Sequence, residues 1–168
     1  ADDPLAPALL VAMPQLLDPN FRRAVVLLLH HDAEFTFGLV LNRPSEIAAE
    51  SLCASLGIEW KGAPAVLVDW GGPVQPNTGW VLLGDDAGEG IEDATEVTDD
   101  LRFAGSLDSL KRLAASPPHR MRLFLGYAGW GAGQLESELA QGAWVVAPLE
   151  SKGVFDVVDG ATGAILRS

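Results

Sequence analysis

A single cysteine, Cys53, stands alone among the 168 residues, so no disulfide can close within the chain and a reducing compartment is expected. Basic residues are scarce: 11 Lys and Arg face 23 Asp and Glu, for a formal net charge of −12. That balance has the wrong sign for nucleic acid, whose phosphates supply most of the non-specific affinity. No basic helix-turn-helix, zinc finger or basic stripe is readable, so direct tight nucleic-acid binding is not expected. Long apolar runs are missing as well. The longest, Ala24–Leu29, is far too short for a helix to cross a bilayer, and no membrane association is expected. The opening Ala1-Asp2-Asp3-Pro4 is acidic where a secretory signal would be basic, which leaves the cytoplasm as the expected location.

What is present describes an ordinary globular chain, 48% hydrophobic and 20% charged. Its length suits one domain over residues 1–168, burying about 70% of its unfolded surface. Residues 1–7 read as a proline-stiffened lead-in. Residues 85–100 hold a run of acids without one Lys or Arg, the pattern of a solvated loop. The acids in it do not follow calcium-loop spacing, and His30 and His31, adjacent on a strand, point to opposite faces, so no metal or other cofactor is expected.

Apolar runs at 8–12, 24–30 and 36–42 read as strands. The last two are joined by His31-Asp32-Ala33-Glu34 into an antiparallel hairpin. Ser45 is positioned to cap a helix through Leu56, with Ile47, Leu52, Cys53 and Leu56 turned inward and Gly57 as the stop. Residues 65–70 and 78–83 read as two strands parted by Gly71-Gly72-Pro73, and Val97 begins a short one. Ser106 caps a helix to Ala115 whose stripe is Leu107, Leu110, Leu113 and Ala114, ended by Pro117-Pro118.

The chain is organised around Met121–Pro148. A buried strand, 121–125, precedes Gly126, Gly129, Gly131 and Gly133, with Tyr127 and Trp130 between them. A short amphipathic helix, 134–141, and a strand, 143–147, follow. The glycine spacing matches neither the dinucleotide nor the phosphate-loop template, and Glu136 and Glu138 would repel a phosphate from that helix start. Packing is therefore the expected role, with Trp130 buried and Gly129 or Gly131 at positive φ.

Several segments together resemble the YqgE/AlgH family of bacterial proteins. They are Met13-Pro14 through Asp18-Pro19, Phe21 and Arg23; Gly38-Leu39-Val40-Leu41-Asn42-Arg43-Pro44; Gly71-Gly72-Pro73-Val74; and Gly126 through Glu136. The resemblance implies an α+β single domain with a mixed, largely antiparallel sheet and peripheral helices. It also implies an indirect link to transcriptional regulation, since one named member is associated with the control of exopolysaccharide production. At 157–168 the turn residues Asp159-Gly160 and Gly163 favour a hairpin, whereas the apolar spacing and the resemblance imply a weak terminal helix.

The matched loops supply a candidate ligand-binding set: Asp18, Arg23, Asn42, Arg43, Gln134 and Glu138, with apolar walls from Phe21, Tyr127 and Trp130 and a close backbone at Gly72. Arginines there would suit a small anionic ligand. The structural alternative is that the arginines pair with Asp18 or Glu138 while Asn42 and Gln134 satisfy turn backbone. No catalytic residue can be named, because Cys53 lies on an inward helix face and no serine or cysteine stands beside a base. Two readings follow. One is a non-enzymatic regulatory or interaction protein with a small ligand or protein partner; the other is an enzyme acting on a small anionic substrate at the Arg23 and Arg43 loops.

Overall fold

The apolar hairpin is the natural place to begin. Strand β2 (Val25–His31) pairs antiparallel with β3 (Phe35–Val40) in the register Val26 to Val40 and Leu27 to Leu39, with a bulge between Leu28 and His30. Asp32 closes the turn, its Oδ1 accepting the N–H groups of Glu34 at 2.8 Å and Phe35 at 2.9 Å. This architecture is that of a computed structural model, which describes residues 7–149 apart from 15, 17, 18, 20, 65, 85, 87–90, 92, 93, 99 and 119. The terminal helix expected over 157–168, residues 1–6 of the lead-in and half of the acidic stretch 85–100 lie outside the described residues.

Strand β1 (Ala8–Ala12) lies between β2 and β10 (Trp144–Ala147), antiparallel to both. On the other side of β3 runs the longest strand, β9 (Met121–Gly131), which also pairs antiparallel with β6 (Val74–Leu83) and parallel with β5 (Leu67–Trp70). Beyond β6 come β8 (Leu101–Ala104) and β7 (Thr95–Thr98), while β4 (Pro44–Ala48) pairs with β5. The path is β10-β1-β2-β3-β9-β6-β8-β7. Leu9 of β1 and Leu101 of β8 nevertheless share one core cluster with Leu27, Leu39, Leu82 and Phe124, so the sheet is curled around an apolar interior. Helices α1 (Ala49–Ser55) and α2 (Leu107–Ala115) cover one outer face, packing Cys53, Leu113 and Ala114 on Val68, Val81 and Leu123. Helix α3 (Gln134–Ala140) seats Leu135 on Val26, Val40 and Ala128 of another. The fold is a single α+β domain of mixed, mainly antiparallel sheet.

Two local expectations are corrected. Residues 44–48 are strand, not helix, because β4 is drawn into pairing with β5 and Ser45 uses its hydroxyl on the Val68 carbonyl instead of capping. The helix therefore starts at Ala49, and Ile47 and Leu56, placed inward by the longer helix, are 42% and 44% exposed. The glycine stretch is not a turn either. Strand β9 runs through it to Gly131, and the left-handed glycines are Gly126 (φ 75) and Gly133 (φ 73), not Gly129 or Gly131. Trp130 is buried, as expected. Helix α2 keeps its cap, with Ser106 Oγ accepting from Ser109 N at 3.1 Å, though Leu107 of its stripe is exposed.

Cys53 is fully buried on α1, and burial pushes its thiol pKa up. A neutral-pH thiol reagent is expected to modify it at least about tenfold more slowly than in urea, because attack must wait for local opening. Equal rates in the two conditions would overturn that expectation.

Candidate functional site

The loop residues singled out from the sequence fall into three groups on different parts of the curled sheet, and Asp18 lies outside the described residues. The first group surrounds Asn42, just past β3 and buried. Its Oδ1 accepts the Val25 N–H at 2.9 Å and its Nδ2 donates to the Arg23 carbonyl at 2.9 Å. One amide thus ties the end of β3 to the start of β2 and holds Arg23 at a left-handed φ of 60. The Arg23 side chain is exposed. Arg43 turns its guanidinium onto main chain, donating to the carbonyls of Arg22 and Asn42, and burial lowers its pKa. Asn42→Ala would leave both backbone partners without their mate. A loss of about 2–4 kcal/mol in urea unfolding is expected, and a change under about 0.5 kcal/mol would contradict it.

The second group joins α3 to the sheet. The indole N–H groups of Trp130 and Trp144 both donate to Glu138 Oε1, at 3.0 and 2.9 Å. Gln134 donates to Glu138 Oε2 at 3.2 Å and accepts the Gly131 N–H at 3.0 Å. Phe21 stacks on Trp130 with centroids 5.9 Å apart and meets Trp144 edge-on at 5.8 Å. These side chains are engaged with one another and with the fold.

The third group opens to solvent. Tyr127 and Trp130, an odd number of positions apart on β9, belong mainly to opposite faces. Tyr127 lines a cavity of about 450 Å³ with Phe35, Phe37, Val74, Gln75 and Trp80, which reaches round to Thr36 and Trp130. The rings of Phe37, Trp80 and Tyr127 lie 5.9, 6.0 and 6.2 Å from one another. The space above them exists because Gly131 faces Phe35 and Gly129 faces Phe37 across the ladder. A Cβ on Gly129 would meet only the Tyr127 ring and Val74 Cγ2 at 3.5 Å, and one on Gly131 nothing closer than 4.0 Å. Packing therefore does not demand these two glycines; a side chain at Gly129 would enter the groove. Gly72 belongs to this group by its main chain, which passes against that of Tyr127.

At the rim, the His30 ring stacks on Phe35 at 4.6 Å and its Nε2 lies 2.8 Å from Asp32 Oδ2. The N–H groups of Phe35 and Glu34, with His30, hold the Asp32 carboxyl down at about 2. Gln75, also at the rim, has a left-handed φ of 46, a conformation that costs a non-glycine residue about 1 kcal/mol. Trp80 Nε1 is buried with no hydrogen-bond partner among the described residues.

Sequence reasoning missed the groove aromatics Phe35, Phe37 and Trp80, whose alternation on strands reads as core. It also missed a buried ion pair. Arg122 of β9 meets Asp69 Oδ2 of β5 at 3.0 and 3.2 Å, donates to the Leu41 carbonyl and lies 4.9 Å over the Phe124 ring. Burial raises the Asp69 pKa and lowers that of Arg122. The available signal was one charge of each sign inside two apolar strands, Val68-Asp69-Trp70 and Met121-Arg122-Leu123. Among the described residues no group of three His, Cys, Asp or Glu side chains is placed to hold a metal, and no helix is long and apolar enough to cross a membrane.

A family model described as AlgH-like matches residues 9–162. A UPF0301 protein of Myxococcus xanthus is 43% identical over 152 residues, covering 89% of this chain and 82% of that one. Another from Xanthomonas oryzae pv. oryzae is 40% identical over 155 residues, covering 90% and 81%. The solution structure of the AlgH protein from Pseudomonas aeruginosa superposes with a TM-score of 0.80 at 32% identity, covering 100% of this chain and 92% of that one. A crystal structure from Corynebacterium diphtheriae does so with a TM-score of 0.69 at 27% identity, covering 90% and 79%.

Proposed function

The chain belongs to the AlgH-like family, and on that premise we propose that it is a regulatory binding protein of the cytoplasm without a catalytic residue of its own. It takes a small ligand into the aromatic groove and passes that state to a protein partner, so that its tie to transcription is indirect. The observation that carries this reading is the groove itself: five aromatic side chains around about 450 Å³, no charged side chain among the described residues of the lining, and a floor kept open by Gly129. Preformed apolar clefts of this size are where small molecules bind. The polar side chains of the motif loops point the same way, since Asn42, Gln134 and Glu138 hold strands and a helix together.

An enzyme acting on an anionic substrate at the Arg23 and Arg43 loops is the second reading, favoured by the exposed Arg23 on its left-handed backbone. The two separate in a thermal-shift screen of metabolites, since a ligand of the native state alone raises its stability. The binding reading expects a hit whose shift disappears in Gly129→Leu and survives in Arg23→Ala. A hit with the opposite dependence, accompanied by turnover, would replace it with the enzyme.

A further inference from the structure

The charge of the ligand can be argued from what surrounds the groove. Its rings come from β3 (Phe35, Phe37), β6 (Trp80) and β9 (Tyr127). The stretches that supply them, residues 24–42, 62–101 and 123–149, contain no Lys or Arg at all. Acids are present in each, and one stands close to the mouth. Asp32 lies beside the His30 ring that covers Phe35, ionised at any ordinary pH. In a chain of net charge −12, an anion approaching this groove meets repulsion with no fixed cation among the described lining residues to offset it. A neutral ligand gains apolar burial alone. A cation gains that burial, the negative field and the faces of the rings.

We propose that the groove is a site for a small organic cation, a quaternary ammonium on a flat or alkyl body, held over Phe37, Trp80 and Tyr127. The three ring centroids form a nearly equilateral triangle with sides of 5.9, 6.0 and 6.2 Å. A charge centred about 3.5 Å above that triangle lies about 5 Å from each centroid, within cation–π distance, with Phe37 and Trp80 inclined at 33° to one another and Tyr127 standing at 77° and 85° to them. Phe35, nearly half exposed at 46%, is the wall against which the body of the ligand lies. The cation assignment rests on the binding reading above, and the same titration separates the two.

The full chain, labelled with nitrogen-15, is titrated with benzyltrimethylammonium, with benzyl alcohol as a neutral control and phenylacetate as an anionic one. The Trp80 indole resonance is assigned from Trp80→Phe. Benzyltrimethylammonium is expected to move that resonance and to bind about tenfold more tightly than either control, the factor a single good cation–π contact supplies. Gly129→Leu, where a Cβ finds ordinary room, should abolish the effect. Phe35→Leu, at a half-exposed position, should weaken it severalfold without changing Tm. If the three probes bind equally and Gly129→Leu abolishes all of them, the cation assignment falls and the groove reading stands. If no probe moves Trp80, or binding persists in Gly129→Leu, both fall.

Discussion

Replacing Gly72 by alanine is expected to cost a large part of the protein's stability. Gly72 has φ +154, and a Cβ built on it lies 2.1 Å from the Tyr127 carbonyl carbon, 2.2 Å from its oxygen and 2.4 Å from Ala128 N. All three are main-chain atoms of β9, which is held by β3 on one side and Val74 of β6 on the other. No rotamer change relieves such a clash; a strand must move. Gly126 makes the reciprocal contact, with φ 75 and a Cβ position 2.2 Å from the Gly72 carbonyl oxygen. The Gly71-Gly72 step and the left-handed Gly126 of β9 therefore form one close approach of two backbones. Gly71 adds its N–H to the Leu125 carbonyl at 2.7 Å. A cost above about 4 kcal/mol follows, large against a total stability of about 5–15 kcal/mol. Tm should fall by about 10 °C or more. Gly131→Ala is the control, since its Cβ meets nothing closer than 4.0 Å and the melt should stay near the parent's. A Gly72→Ala protein melting within about 2 °C of the parent would refute the close approach as a constraint.

The same close approach shows what local pattern can and cannot convey. The β2–β3 hairpin, the capped α2, and the α3–β10 pair were legible because period, cap and turn chemistry lie within a dozen residues of one another. Helix α1 was misread because Ser45 carries a cap signal that a strand from elsewhere in the chain outcompetes. Strand β8 went unnoticed, being four residues with an arginine second. The glycines of β9 looked like a turn because their partners, Gly72 and Phe37, are remote in sequence and nothing local distinguishes a glycine that avoids a clash from one that leaves a space. For the site, residue types were legible and their distribution was not. Tyr127 and Trp130 do line one cavity, but from the two faces of β9, with the Trp130 indole N–H tied to Glu138, and neither Phe37 nor Trp80 was seen to join them.

Arg122→Leu should be the costliest of the side-chain replacements, and its cost should depend on pH. Asp69 and Arg122 are 15% and 11% exposed in their side chains, and they satisfy each other between β5 and β9. Removing the guanidinium strands a carboxylate in apolar surroundings, which costs about 3–5 kcal/mol. Asp69→Leu, leaving a buried guanidinium, should cost a similar amount. The double variant Asp69→Leu/Arg122→Leu should be less destabilised than either single one, because no uncompensated charge remains. It will not recover fully, since the Leu41 carbonyl loses a donor, worth about 1 kcal/mol. The pH sign follows from the Asp69 carboxyl, which burial already raises above its usual value against the pull of Arg122. A carboxyl raised in the folded state favours folding most when protonated, below its unfolded pKa, and that contribution is lost as pH rises through the folded value. Without Arg122 the folded value climbs further, so the penalty of Arg122→Leu in urea unfolding should be larger at about pH 7 than at about pH 5. That of the double variant should not grow, because it lacks the raised carboxyl whose contribution the parent loses on the same rise. If the double variant equals the sum of the singles at both pH values, the two charges are not coupled and the pair is incidental to the fold.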